Sequence, residues 1–259
     1  MIKKNKEQVD WSDFLKYSSI FTPSRREQFE TIVSLLPVKK NESFVFVDLG
    51  CGGGDLIYQI LKSFPRTEAV GVDVSRGMLD AARKRLARFG ERVELIEVDL
   101  RDKKLFRVFP KNIKCFISSL AIHHLSAKEK RWLFKESYSK LSKGGAFIIA
   151  DLVLPASKQA RDYFGNLCDK IVKEQSMKDT GSLMVFNIFK RLKWNNYKVS
   201  DPDEYDKPSR LFDQLKWLED VGDHIMGLLL DLAQMRDSTP IDKTGLEIFL
   251  QEREDETAE

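Results

Sequence analysis

Between residues 44 and 154, short apolar runs alternate with stretches of helical period, and this alternation constrains the fold more than any other feature of the chain. SFVFVDLG is a continuous apolar run ending in an acid and a glycine. A strand buried on both faces reads this way, because neither face needs polar residues. GCGGG follows as a tight turn, and DLIYQILKSF resumes the helical period. EAVGVDVS, VELIEVDL, IKCFISSLAI and AFIIADLVL repeat the strand pattern. Between them lie RGMLDAARKRLARFG, closed by Gly90, a loop with a short helix to about Phe109, and SAKEKRWLFKESYSKL. Ser126 with Glu129 three residues on predicts a capping box at the start of that last helix, and KGG its end. Five strands joined by short crossovers predict a Rossmann-like α/β fold, a doubly wound, mostly parallel sheet with helices on both faces. Ligands in such sheets bind outside the carboxyl ends of the strands.

The flanking segments divide the chain further. Residues 1–37 read as a helical cover, with Phe29, Ile32, Val33, Leu35 and Leu36 on one stripe and Pro37 as the stop. Residues 38–155 form the expected core, 156–210 a mainly helical insertion or lid, and 211–259 a C-terminal helix with an atypical acidic tail. Gly222 is the expected residue just past the helix LFDQLKWLEDVG. With 259 residues, 42% of them hydrophobic, the chain can bury one large α/β core and a lid. Its 43 basic and 40 acidic residues nearly balance, which makes a nucleic-acid partner an unfavoured expectation. No apolar run is long enough to span a membrane, and the charged N-terminus lacks the apolar core of a secretory signal. Cys51, Cys115 and Cys168 are too scattered to predict a disulfide framework or a zinc site, so a cytoplasmic enzyme without a metal is expected.

The chemistry is carried by residues where strands stop. Asp48 precedes the loop Gly50-Cys51-Gly52-Gly53-Gly54, whose glycines allow positive φ and close approach to a ligand. A dinucleotide loop would place its third glycine at position 55, but Asp55 stands there. Asp48 would repel a pyrophosphate and attract an ammonium group, so a nicotinamide dehydrogenase is disfavoured. Asp73 ends the second strand, about twenty residues past the loop, where a carboxylate can take ribose hydroxyls. Ser75 is placed to cap the next helix. Asp99 and Leu100 end the third strand and suit an adenine, with Val74 and Met78 as further apolar contacts.

This arrangement resembles the class I S-adenosylmethionine-dependent methyltransferases over roughly residues 20–155. VDLGCGGG, GVDVS, VDL, SSLAIHHL and LSKGGAFIIAD look like that family's successive motifs. The resemblance implies that Asp48, Gly50, Cys51, Gly52 and Gly54 hold the methionine end, Asp73 the ribose, and Asp99 with Leu100 the adenine. It also places Ser118, Ser119 and Leu120 beneath the sulfonium. The later chain is similar to one group of small bacterial and archaeal members with a helical insertion after the fifth strand. That group's signature reads here as Asp206-Lys207-Pro208-Ser209, then Gln214-Leu215-Lys216-Trp217-Leu218 and Gly222. The aromatic, glycine-rich strand pair that normally follows is missing, so the last strands are in doubt, although LEIFLQER could supply an edge.

Methyl transfer from a sulfonium needs an aligned nucleophile and, for an OH or NH, a base. His123 and His124 follow the fourth strand and are the candidate bases, each weighed against merely packing the next helix. Asp151 ends the fifth strand and either faces the pocket or supports it. Trp11, Tyr17 and Phe21, and in the insertion Tyr163, Trp194 and Tyr197, read as lid core more than as specific contacts. The N/D-P-P-Y/F pattern of enzymes acting on nucleobase or glutamine amines is absent after the fourth strand, where SSLAIHH stands. The expected acceptor is therefore O, N or C of a small molecule, with S-adenosyl-L-homocysteine as product and a homodimer as one possible assembly. An RNA (tRNA)-modifying enzyme and a non-catalytic S-adenosylmethionine-binding module are the competing readings.

Overall fold

The structure, a computed structural model, describes residues 12–198, 206–221 and 227–230. Its sheet contains β1 (Val45–Leu49), β2 (Glu68–Asp73), β3 (Val93–Glu97), β4 (Ile113–Ser119), β5 (Leu141–Ala150) and β6 (Gly227–Leu230). Their order is β3-β2-β1-β4-β5-β6, and every pairing is parallel. The chain starts in the middle and winds outward both ways, so the expected doubly wound Rossmann-like fold is the observed one. The order reverses between β1 and β4, which is where such sheets open a crevice.

Alternate side chains of each central strand enter different cores. Phe46 of β1 joins Ile57, Ile60 and Leu61 of α3 (Asp55–Ser63) and Leu79 of α4 (Arg76–Leu86). Val47 and Leu49 join Leu133 and Phe134 of α5 (Ala127–Lys140) and Leu218 of α8 (Leu211–Glu219). Burial on both faces is the physical reason that β1 reads as an unbroken apolar run. Ser126 accepts from the Glu129 N–H while Glu129 reaches back, so the predicted capping box is present.

Three local departures have clear causes. The N-terminal helical stretch is broken into α1 (Ser12–Phe21) and α2 (Arg25–Ser34). Pro23 lacks an N–H and disfavours helix at Thr22, and Ser24 turns the chain with φ 51°. α5 runs directly into β5 at Leu141, so KGG lies inside the strand instead of separating it from the helix. Gly144, at φ 66°, forms a bulge there, and the β4 partner jumps from Leu141 to Ala146. Finally, Gly227–Leu230 adds a parallel strand beside β5, where no strand was predicted. LEIFLQER, Trp11 and Gly222 lie outside the described residues.

A third core sits at the carboxyl end of β5. Phe14, Tyr17, Ile20 and Phe21 of α1 pack there with Cys168 and Val172 of α6 (Lys158–Thr180), Val185 and Phe189 of α7 (Met184–Arg191), Trp194, Tyr197 and Leu152. The Phe14 and Trp194 rings stack at 5.1 Å. Tyr17, Phe21, Trp194 and Tyr197 are thus cap core, while Tyr163 is 53% exposed. No described helix is long and apolar enough to cross a membrane.

Candidate active site at the carboxyl ends of the strands

The glycine loop is built by backbone geometry. Gly50, Gly52 and Gly54 have φ of 78°, 51° and 78°, a region most side chains avoid. The N–H groups of Gly50 and Cys51 donate to the Val72 carbonyl at 2.8 and 2.9 Å, binding the loop to β2. A Cβ on Gly50 would stand 2.2 Å from the Ala121 Cβ, so the turn after β4 closes directly onto the loop. Asp55 opens α3 and pairs with Arg85 at 2.6 Å.

Asp48 and Asp73 face this loop. Asp48 is 2% exposed. Burial, reinforced by the negative charge of Asp73 and eased by Arg25, pushes its carboxyl up to about 8. Asp73 accepts from the Gly52 N–H at 2.9 Å and the Ser75 N–H at 2.8 Å, and burial raises it against the pull of those N–H groups. Ser75 caps α4 by accepting from the Met78 N–H, as the sequence indicates. Asp99 sits two residues beyond β3, clamped by the Arg101 guanidinium and accepting from the Arg101 N–H at 2.9 Å. Val74 is half exposed, Met78 is buried and Leu100 packs at the edge of a core.

Two α2 residues enter the same region without any signal in the local sequence. The Arg25 guanidinium lies 4.6 Å over the Phe29 ring, and its Nη1 is buried without a hydrogen-bond partner. Burial lowers its pKa, against the pull of Asp55 and Asp48. Gln28 is fully buried, and its Oε1 accepts from the Ser119 hydroxyl at 2.9 Å. Ser118 is fully buried too, but its hydroxyl donates to the Leu49 carbonyl at 2.7 Å and so ties β4 to β1. Leu120 holds φ 57°, a strained backbone for a leucine.

The two histidines occupy a helical turn, Ile122–His124, and their environments differ. His123 is 6% exposed, and its Nδ1 meets the fully buried Asp151 carboxylate. Asp151 also accepts from the His123 backbone N–H at 2.9 Å and from Leu152 N–H at 2.7 Å. Burial alone would lower the His123 pKa, but the Asp151 charge and hydrogen bond raise it above the ordinary 6.5. Burial would likewise raise Asp151, and the His123 charge instead holds it below the usual carboxylate range. His123 is therefore bound to Asp151, which is its support. His124 is part-exposed, with Nδ1 2.9 Å from Asp206 Oδ1, and burial keeps it below 6.5 despite that acid.

Asp206 arrives from the Asp206-Lys207-Pro208-Ser209 segment, which folds back over β4 and β5. Lys207 N–H donates to the His123 carbonyl at 2.6 Å, and Leu154 N–H to the Ser209 carbonyl at 3.0 Å. Lys130 of α5, 1% exposed, donates from Nζ to the Lys207 carbonyl at 2.6 Å and to Ser209 Oγ at 2.8 Å. Burial lowers this lysine to about 8. The sequence marked this segment as a signature, and the geometry gives it a place in the site.

The parallel sheet, its reversal point and the acids at successive strand ends agree with a methyltransferase-type domain of Rossmann-like fold. Residues 46–145 match the model of a methyltransferase domain. Carboxy-S-adenosyl-L-methionine synthase of Campylobacter lari is 24% identical over 132 residues, 51% of this chain and 54% of that protein. Trans-aconitate 2-methyltransferase of Sinorhizobium fredii is 53% identical over 51 residues, 19% of this chain and 20% of its own. The chain thus spans about half the length, or less, of these curated relatives. In fold, it is similar to YcgJ of Bacillus subtilis, with a TM-score of 0.51, 17% identity and coverage of 76% of this chain and 68% of that one. The cyclopropane synthase MmaA2 of Mycobacterium tuberculosis gives 0.51, 13%, 85% and 73%.

Proposed function

We propose that this enzyme moves the methyl group of S-adenosyl-L-methionine to O, N or C of a small acceptor, releasing S-adenosyl-L-homocysteine. The charge pattern around the glycine loop fits the methionine end of that cofactor. Asp48 is a buried carboxylate short of positive charge, suited to an ammonium. Arg25 offers a buried Nη1 lacking a partner, suited to a carboxylate. When bound, the cofactor supplies a methyl already activated by its sulfonium. Asp73 and Asp99 remain assigned to ribose and adenine, with Val74, Met78 and Leu100 as apolar contacts and Ser118, Ser119 and Leu120 beneath the sulfur. Arg101 must leave Asp99 for the adenine to take its place.

The observation carrying the acceptor side is the pairing of His124 with Asp206 beside the Asp151-bound His123. His124, whose pKa burial lowers, is the freer of the two to take a proton from an acceptor, whereas His123, raised by Asp151, is already engaged. A cap with its own apolar core over the strand ends suits a small acceptor better than a polymer. The relative named for trans-aconitate points the same way, by analogy alone.

Calorimetric titration with S-adenosylmethionine, S-adenosylhomocysteine and NAD tests the cofactor. Both adenosyl ligands should bind at micromolar affinity or tighter, and NAD should not bind. Release of S-adenosylhomocysteine is then assayed with small acids, phenols and amines beside bulk tRNA and rRNA. Turnover with RNA alone would replace the small-acceptor reading.

A further inference from the structure

Two adjacent histidines and an aspartate about eighty positions further along the chain meet at the end of β4. Asp206 Oδ1 lies 2.9 Å from His124 Nδ1 and 3.7 Å from His123 Nε2. One donor atom from each of His123, His124 and Asp206 falls within 4.8 Å of the other two. A tetrahedral ion with ligand bonds of about 2.0–2.2 Å would hold its ligand atoms about 3.3 Å apart. The two measured separations from Asp206 bracket that value, so small side-chain rotations would close the set.

The support behind the set is of the kind a metal site needs. A metal-binding histidine usually gives its other ring nitrogen to a carboxylate, which fixes the ring and presents the free nitrogen. His123 does this, with Nδ1 on Asp151 and Nε2 turned toward Asp206. Asp151 is itself anchored by two backbone N–H groups. The Asp206 segment is held from below by Lys130 and by the His123 carbonyl. The His124 and Asp206 side chains keep 28% and 25% exposure, while their facing atoms Nδ1 and Oδ1 are buried.

We propose that His123 Nε2, His124 Nδ1 and Asp206 Oδ1 bind one divalent transition-metal ion, with Asp151 as the positioning residue behind His123. Two imidazole nitrogens and one carboxylate oxygen suit zinc, iron(II), manganese or cobalt better than calcium or magnesium. Three protein ligands leave positions free for water or for an oxygen of the acceptor. The proposal deepens the acceptor side of the function given above and rests on that reading for what the ion would do. An acceptor hydroxyl on the ion would lose its proton to water. Its oxygen would then bond to the methyl carbon as the sulfur–carbon bond breaks and that electron pair returns to sulfur. In the ion's presence His124 is a ligand and no longer the base.

The test is cobalt(II) titration of chelator-stripped full-length protein, followed by visible absorption and calorimetry, with S-adenosylmethionine titrated separately into the same samples. One ion per chain should bind, with a d–d band of four- or five-coordinate cobalt. His124→Gln and Asp206→Asn should each weaken binding at least tenfold. Asp151→Asn should cost 10–100-fold, the usual toll for removing such a support. His224→Gln, which changes the remaining histidine, should leave binding intact. A missing band, or binding that survives both His124→Gln and Asp206→Asn in folded protein, overturns the metal site. Unaltered S-adenosylmethionine affinity in those samples keeps the methyltransferase reading standing apart from it.

Discussion

Asp151 holds His123 at two points, with one carboxylate oxygen on the imidazole Nδ1 and the other on the same residue's backbone N–H at 2.9 Å. The carboxylate therefore cannot follow a turning imidazole without giving up the backbone contact. Replacing Asp151 with Asn leaves His123 buried beside a group that no longer balances its charge. Losing one partner of a buried pair costs about 3–5 kcal/mol, so thermal or urea unfolding of Asp151→Asn should show a loss of that order. A change under ~1 kcal/mol would mean the pair is not charged in the fold.

The pair also sets a pH window. His123 is raised in the fold, so its contribution is complete below pH 6.5 and fades as pH climbs through the raised value. Asp151 is depressed, so its contribution is complete above 3.8 and fades as pH falls through the lowered value. Stability from the pair should therefore be greatest between about pH 4 and 6.5. The readout is unfolding free energy against pH, wild type minus Asp151→Asn; a difference that grows steadily above pH 7 would contradict the assignment.

Asp48 makes the opposite kind of demand. Its carboxyl is raised to about 8, so the unliganded fold loses stability as pH rises from about 4 toward 8, where the unfolded chain ionises more readily. A bound ammonium would favour the carboxylate, and cofactor binding at pH 7 should then release a proton. Calorimetry in buffers of different ionisation enthalpy would measure it. Asp48→Asn should abolish the release, weaken S-adenosylmethionine at least tenfold, and yet stabilise the free protein above pH 8.

Asp73→Ala should weaken S-adenosylmethionine binding at least tenfold, because it removes both a charge-assisted acceptor and the anchor of the Gly52 N–H. Undiminished affinity would remove Asp73 from the site. His124→Gln should lower turnover while leaving cofactor affinity within about threefold, since the imidazole belongs to the acceptor side. A large affinity loss would make it a shaping residue instead.

Gly50→Ala combines a clash with a forbidden backbone. The added methyl meets Ala121 Cβ at 2.2 Å, and φ is 78°. Overpacking of this kind costs ~1–3 kcal/mol before the dihedral strain is counted. The variant should lose cofactor binding even where circular dichroism shows a folded sheet. Retained affinity would mean the β4 turn can retreat from the loop.

The parts of this molecule that could be read in advance were those in which chain order and spatial order coincide. β1, β2, β4 and the second half of β5 announce themselves because burial on both faces strips them of most polar residues, whereas β3 alternates with the exposed Glu94 and Glu97. Asp48, Asp73 and Asp99 were legible because a parallel sheet places consecutive strand ends on one edge. Arg25 and Gln28 were not, and Asp206 was marked only as part of a signature without a role, because they reach the site from helices and loops that only tertiary packing brings there. The difference between His123 and His124 was hidden for the same reason: it depends on which acid each one meets, and both acids lie far along the chain. The bulge at Gly144 was misread as a helix stop because a left-handed glycine serves both purposes.

The cap core joins residues 14–21 from before the sheet to residues 152–197 from after it. The sheet from β1 to β5 can assemble from crossovers that are each short, but the cap cannot close until both ends of that stretch meet, a loop closure of high entropic cost. The order of assembly should be sheet first and cap last, with Pro23 at the joint where α1 leaves for one core and α2 for another. In native-state hydrogen exchange, amides of α1, α6 and α7 should open together, at a lower free energy than those of β1 and β4. Separate protection of α1 from α6 would mean the cap is two units and not one.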